Sequence, residues 1–154
     1  MAEVILNVNG GNNLVEVDPE SPLLFVLMDA YGLKGPKFGC GLAQCGSCTV
    51  LMDGEPYRSC TLPVSEAKGK IVTLEGLGTM ENPHPIQRAF IEEQALQCGF
   101  CISGPVLYGK AFIDKNPTAN EAQIQEALGG ILCRCYAHPR MVKALVRYAR
   151  EVRA

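Results

Sequence analysis

The eight cysteines are the residues of this chain best equipped for chemistry, and they divide evenly along its 154 residues. Cys40, Cys45, Cys48 and Cys60 lie in the first half, Cys98, Cys101, Cys133 and Cys135 in the second. Thiolates are soft ligands, and four of them complete the protein shell of a structural zinc ion or of an iron–sulfur cluster. A disulfide framework is the competing use, and it belongs to small secreted chains. Met1-Ala2-Glu3-Val4-Ile5 presents no basic stretch ahead of an apolar run. No secretory signal is therefore visible, and a cytoplasmic chain with reduced thiols is expected.

The first quartet leaves four residues between Cys40 and Cys45, two between Cys45 and Cys48 and eleven between Cys48 and Cys60. Its first three members match plant-type [2Fe–2S] ferredoxin spacing. They stand in Gly39-Cys40-Gly41-Leu42-Ala43-Gln44-Cys45-Gly46-Ser47-Cys48, where small residues let the backbone wind tightly and aim N–H groups at sulfur. Structural zinc is the alternative for such a loop. The second quartet joins Gln97-Cys98-Gly99-Phe100-Cys101 to Leu132-Cys133-Arg134-Cys135. Taken alone, that spacing is open to an iron–sulfur cluster, to zinc or to a redox dithiol. His84 and His138 would suit a Rieske-type centre, but eight cysteines already suffice for two clusters. Tyr57, Phe100 and Tyr136 are expected to pack near the quartets and keep water away.

The elements that must carry these residues change character midway. A β-prone run from Glu3 to Val8, a turn at Gly10-Gly11-Asn12 and Leu14 to Val17 read as a hairpin. Ser21-Pro22 opens a short helix over Leu23 to Ala30. Thr49 to Met52, the Asp53-Gly54 turn and the return to Cys60 make a second hairpin, and Ile71 to Leu74 a further strand. Beyond Gly76, helical signals take over: Ile86 to Ala95, Pro105 to Asn116, a helix to Leu128 capped at Thr118 and Glu121, and Pro139 to Val152. Met141, Leu145, Tyr148 and Val152 form one apolar stripe, expected to be core. Arg140, Lys143, Arg147 and Arg150 line one face of the same helix, which reads as solvated.

With both quartets filled, in this order and on a β half followed by a helical half, the chain resembles the small iron–sulfur subunit of the molybdenum hydroxylases, the xanthine oxidase family. The resemblance runs from Val4 to about Val152. It implies an α+β fold: a ferredoxin-like β-grasp domain over 1–76, a linker over 77–84 and a four-helix domain over 85–154. It implies one [2Fe–2S] cluster on Cys40, Cys45, Cys48 and Cys60, and a second on Cys98, Cys101, Cys133 and Cys135. It further implies a molybdopterin cofactor that is contacted by Gln97 and Cys135 but held mainly by a large partner subunit, with no catalytic residue in this chain. Leu42-Ala43 stands where Glu-Gly is frequent, and Tyr136-Ala137-His138 where Thr-Gly-Tyr is frequent. Both departures point to the two-subunit branch of isoquinoline, nicotinate and aldehyde oxidoreductases.

The function so implied is electron transfer from molybdopterin through two clusters to an external acceptor, a flavin subunit or a cytochrome c, with an N-heterocycle or aldehyde as substrate. The alternatives are a free-standing two-cluster ferredoxin and a zinc-stabilised interaction module. A net charge of −2 argues against nucleic acid as partner. The halves differ, with 5 basic against 9 acidic residues in 1–76 and 9 against 7 in 77–154. Apolar runs such as Leu23 to Met28 fall far short of the roughly 20 residues of a membrane span. Neither Gly10-Gly11 nor Gly129-Gly130 fits a dinucleotide fingerprint, so any flavin is bound elsewhere. Export of the folded chain with a partner bearing a twin-arginine signal is the alternative to a cytoplasmic site.

Overall fold

Turn chemistry sets the register of the first sheet. In the computed structural model, which describes residues 1–154, Ala2–Val8 (β1) pairs antiparallel with Gly11–Val17 (β2). The two residues between them, Asn9 and Gly10, both take positive φ, 51° and 83°, as a tight hairpin turn demands. The turn is therefore Asn9-Gly10, and Gly11 to Asn13 join the strand that sequence pattern alone starts at Leu14. Asp53 and Gly54 repeat this geometry at φ 52° and 86° between Thr49–Met52 (β3) and Glu55–Arg58 (β4). Lys70–Val72 (β5) runs parallel to β1 and antiparallel to β3, giving the order β2-β1-β5-β3-β4. That strand ends before Leu74, because the Thr73 amide donates to the Asn9 side chain at 2.9 Å and Leu74–Gly76 closes a 3₁₀ turn.

Leu23–Asp29 (α1) lies across this sheet. Leu23, Val26 and Leu27, at helical spacing, bury against Leu6, Val8, Val50 and Ile71. Leu24 turns instead to Cys48 and Cys60. Ser21 does not cap the helix: its carbonyl accepts from Val64 N–H at 3.0 Å and Pro22 is the cap residue, so the segment serves the Pro22–Pro63 bridge first.

The second half packs Pro85–Glu92 (α2), Gly109–Lys115 (α3), Glu121–Ala127 (α4) and His138–Arg153 (α5) around an 18-residue core drawn from Ile86 to Ala149. A π-helical turn, Gly104–Tyr108, leads into α3. His84 caps α2, its ring nitrogen accepting from Ile86 N–H while the Gln87 side chain accepts from His84 N–H. For α4 the capping box is Asn120 with Gln123 rather than Thr118 with Glu121, since Asn is as strong a cap and leaves the helix two residues shorter at its start. On α5 Met141, Leu145 and Tyr148 are buried, whereas Val152, in its last turn, is 45 % exposed. Arg147 on its outer face pairs with Glu92 and Glu93.

The two cores are fastened to each other. Leu51 of β3 packs with Leu107 and Ala111. The buried Ser103 hydroxyl donates to the Gly35 carbonyl at 2.7 Å, and the Glu75 carboxylate accepts from the Lys34 and Gly35 amides at 2.8 and 2.6 Å. No helix is long and apolar enough to cross a membrane.

Candidate metal centres

The cysteine loop between α1 and β3 is wound by residues in the left-handed region: Gly41, Ala43 and Gly46 have φ of 67°, 58° and 86°. This winding turns the amides of Leu42, Gln44 and Cys45 onto the Cys40 sulfur at 3.3, 3.3 and 3.4 Å. Gly39 is equally constrained, since a Cβ there would lie 2.8 Å from the Cys45 sulfur. The local sequence thus builds a concave shell of N–H groups around sulfur, which suits anionic thiolates and bridging sulfide.

The thiols influence one another's acidity mainly in pairs, Cys40 with Cys45 and Cys48 with Cys60. In the second quartet Cys98 goes with Cys135 and Cys101 with Cys133, so the Cys-x-x-Cys and Cys-x-Cys segments interleave. Tetrahedral zinc needs all four sulfurs about 2.3 Å from one centre, whereas two irons share four thiolates pairwise. The donor set therefore fits a [2Fe–2S] cluster in each quartet better than zinc.

Thiol acidity divides each quartet. Amides of Leu42 and Cys45, then Gln44, pull Cys40 down to about 6, and the Phe100 amide followed by the Cys135 thiol lowers Cys98. Burial pushes Cys48 up to about 11 and Cys101 up to about 12. Buried thiols of this kind ionise only when a cation is bound to them, and coordination supplies it.

A cavity of about 440 Å³ opens between the quartets, lined by Cys45 from one side and by Cys98, Cys101 and Cys133 from the other. The Leu132 amide donates to the Cys45 carbonyl across the same junction. Gln97, Cys98 and Cys135 are exposed together, so the helical quartet reaches the surface. Of the three aromatic rings expected near the quartets, Phe100 lines the cavity with Cys45, Cys98, Cys101 and Cys133, while Tyr57 and Tyr136 are 38 % and 78 % exposed. Tyr136 sits at φ 56° just past Cys135, a turn that leaves its ring outside. His84 is spent on its helix cap, and the His138 ring bonds the Ile131 carbonyl at 2.8 Å. Arg58, Glu75 and Ser103 escape a reading of the sequence, which holds no local signal for them.

Two family models match the chain: a 2Fe-2S iron-sulfur cluster binding domain over residues 6–73 and a [2Fe-2S] binding domain over 73–146. The chain is 47% identical to a nicotinate dehydrogenase subunit from Pseudomonas putida, covering 97% of this chain and 96% of that one. It is 45% identical to the alpha subunit of isoquinoline 1-oxidoreductase from Brevundimonas diminuta, covering 98% and 99%. Among solved structures, quinoline 2-oxidoreductase from Pseudomonas putida 86 superposes with a TM-score of 0.92 at 34% identity, covering 99% of this chain and 96% of that chain. The aldehyde oxidoreductase of Desulfovibrio desulfuricans reaches 0.93 at 34% identity, this chain corresponding to 17% of that longer one. Two [2Fe–2S] domains, the matching fold and relatives aligned over nearly their full length lead to one assignment: the chain belongs to the small iron–sulfur subunits of the molybdenum hydroxylase family.

Proposed function

We propose that this chain is the electron conduit of a molybdenum-dependent hydroxylase, carrying electrons from a molybdopterin centre in a large partner subunit to an external acceptor. The carrying observation is the alignment of the two thiol quartets, facing each other across one cavity with Cys98 and Cys135 at the surface on one side. Cys40, Cys45, Cys48 and Cys60 are the ligands of the first cluster, in domain 1–76. Cys98, Cys101, Cys133 and Cys135 are those of the second, in domain 85–154, with 77–84 as linker. When bound, such clusters supply one-electron storage that the side chains lack. This chain's residues position them: the Gly39 to Cys48 loop donates N–H groups to sulfur, Leu24 and Met28 seal Cys48 and Cys60, and Leu132 joins the two loops.

The exposed Gln97 amide can donate to and accept from a pterin at once, and Cys135 stands on the same face. Leu96, Phe100, Leu132 and Tyr136 surround that face with apolar surface suited to the large subunit. Those relatives named above that align over nearly their full length are named for nicotinate, isoquinoline and quinoline, whereas the aldehyde oxidoreductase matches over 17% of its chain, which favours an N-heterocycle over an aldehyde as substrate. The acceptor is a flavin subunit or a cytochrome c. Eight free thiols suit the reducing cytoplasm, or export of the chain already folded with its partner.

The test compares Cys45→Ser with Cys133→Ser in the assembled complex by rapid mixing with substrate. Cys45→Ser spares reduction of the helical-domain cluster and blocks steady-state transfer outward, while Cys133→Ser cuts the β-domain cluster off from substrate. The opposite pattern reverses the proposed order, and an unchanged iron content in both variants removes the ligand assignment.

A further inference from the structure

A cation without an anionic partner stands between the two cysteine loops. Arg58, at the end of β4, is half-buried, and none of the chain's ion pairs includes it. Its Nη1 donates to the Thr49 hydroxyl, which in turn donates to the Gly46 carbonyl at 2.6 Å. Its Nη2 donates to the Gly130 carbonyl at 3.3 Å, and its guanidinium carbon lies 5.7 Å from the centre of the Tyr108 ring. The guanidinium also lies against Gly46, where a Cβ would stand in van der Waals contact with its carbon at 3.6 Å. Gly46 and Ser47 separate Cys45 from Cys48, and Gly130 leads through Ile131 and Leu132 to Cys133. One side chain therefore touches both ligand loops.

We infer that Arg58 is a positioning residue for electron transfer: its uncompensated charge raises the reduction potential of the first [2Fe–2S] cluster, while its donors hold that cluster's loop against the segment carrying Cys133. The inference rests on the ligand assignment proposed above. Two ferric ions held by four thiolates and two sulfides are anionic overall, and reduction adds one more negative charge. A nearby cation thus stabilises the reduced form more than the oxidised form. A hydroxyl, a carbonyl and an aromatic ring orient the guanidinium without neutralising it, and partial burial limits screening by water and salt. The first cluster feels it most, because Gly46 directly follows Cys45 and Thr49 directly follows Cys48, whereas Gly130 lies three residues from Cys133.

The experiment is a redox titration followed by electron paramagnetic resonance on the assembled complex carrying Arg58→Lys, Arg58→Gln or Arg58→Met. Gln keeps a donor and Met keeps length, but neither keeps charge. Both are expected to shift the first cluster's reduction equilibrium at least tenfold toward the oxidised form, about 59 mV for a one-electron couple. The second cluster shifts less, and Arg58→Lys stays within about threefold of the parent. Unchanged potentials in Gln and Met variants that hold both clusters overturn the inference, as does a shift to higher potential or one confined to the second cluster. Loss of the first cluster from both neutral variants, with Lys retaining it at the parent potential or below, reduces Arg58 to a brace and also overturns it. Cys45→Ser, run alongside, identifies the first-cluster signal; if that variant keeps both signals, the ligand assignment fails, independently of the potentials of the Arg58 series.

Discussion

The Leu132 amide donates to the Cys45 carbonyl at 2.9 Å, joining the segment that leads into Cys133 to the loop that holds Cys40, Cys45 and Cys48. Both residues line the cavity between the quartets. The contact gives the two halves a short connection through backbone and one hydrogen bond, at the place where electrons must cross.

Leu132→Pro tests that connection, because proline has no N–H to donate. Ile131 is already extended, at φ −112° and ψ 121°, and so accepts a following proline. Both clusters should be retained, with a stability loss of about 0.5–1.5 kcal/mol for one neutral hydrogen bond. Electron equilibration between the clusters after rapid reduction should slow; an unchanged rate would show that the route lies elsewhere.

Gly39→Ala should remove the first cluster alone. The added methyl would sit 2.8 Å from the Cys45 sulfur and 3.4 Å from the Ser47 hydroxyl, so the ligand must move. Iron and sulfide content should fall by half, with one of the two paramagnetic signals lost. Full iron content in this variant would contradict the close packing of that loop around sulfur.

Ser103→Ala should loosen one half from the other. The hydroxyl is fully buried and donates to the Gly35 carbonyl at 2.7 Å, so its loss costs about 1–3 kcal/mol through a buried acceptor left short of a donor. For a chain of this size that lowers the melting midpoint by several degrees, roughly 2–4 °C per kcal/mol. Calorimetry of the holoprotein measures it, and a midpoint within one degree of the parent would make the contact energetically idle.

Glu75 makes the same junction sensitive to acid. Burial raises the affinity of its carboxyl for a proton, but hydrogen bonds from the Thr73 hydroxyl and from the Gly35 and Lys34 amides outweigh it, leaving the group below its ordinary value. A carboxylate whose folded value is depressed stabilises the fold at pH above its unfolded value, about 4.3, and loses that contribution as pH falls through the folded value. Glu75→Gln should therefore be less stable than the parent near neutrality, with the gap closing on acidification below about pH 4. Denaturant midpoints of the two proteins compared at each pH cancel the acid lability of the clusters they share. A gap independent of pH would remove Glu75 from the account.

Much of this was legible without coordinates, because it depends on residue type and short spacing. Small residues between Cys40 and Cys48 announce a tight loop around sulfur, and Asp53-Gly54 forces a hairpin that returns the chain to Cys60. Proline at the start of α2 and α5 and apolar residues at helical spacing place these two helices of the second half within a few residues. The first hairpin shifted because Asn9 accepts positive φ as readily as a glycine pair would, and α4 took its cap from Asn120. Tertiary structure alone decided that Cys98 goes with Cys135 while Cys101 goes with Cys133, and that the two quartets face one cavity. It also decided that Arg58 reaches Gly130 and Ser103 reaches Gly35, over 72 and 68 residues of chain. Such contacts carry no local pattern: they exist because Leu51 packs on Leu107 and Ala111, which docks the sheet on the helices and leaves the intervening polar groups to find partners across the seam.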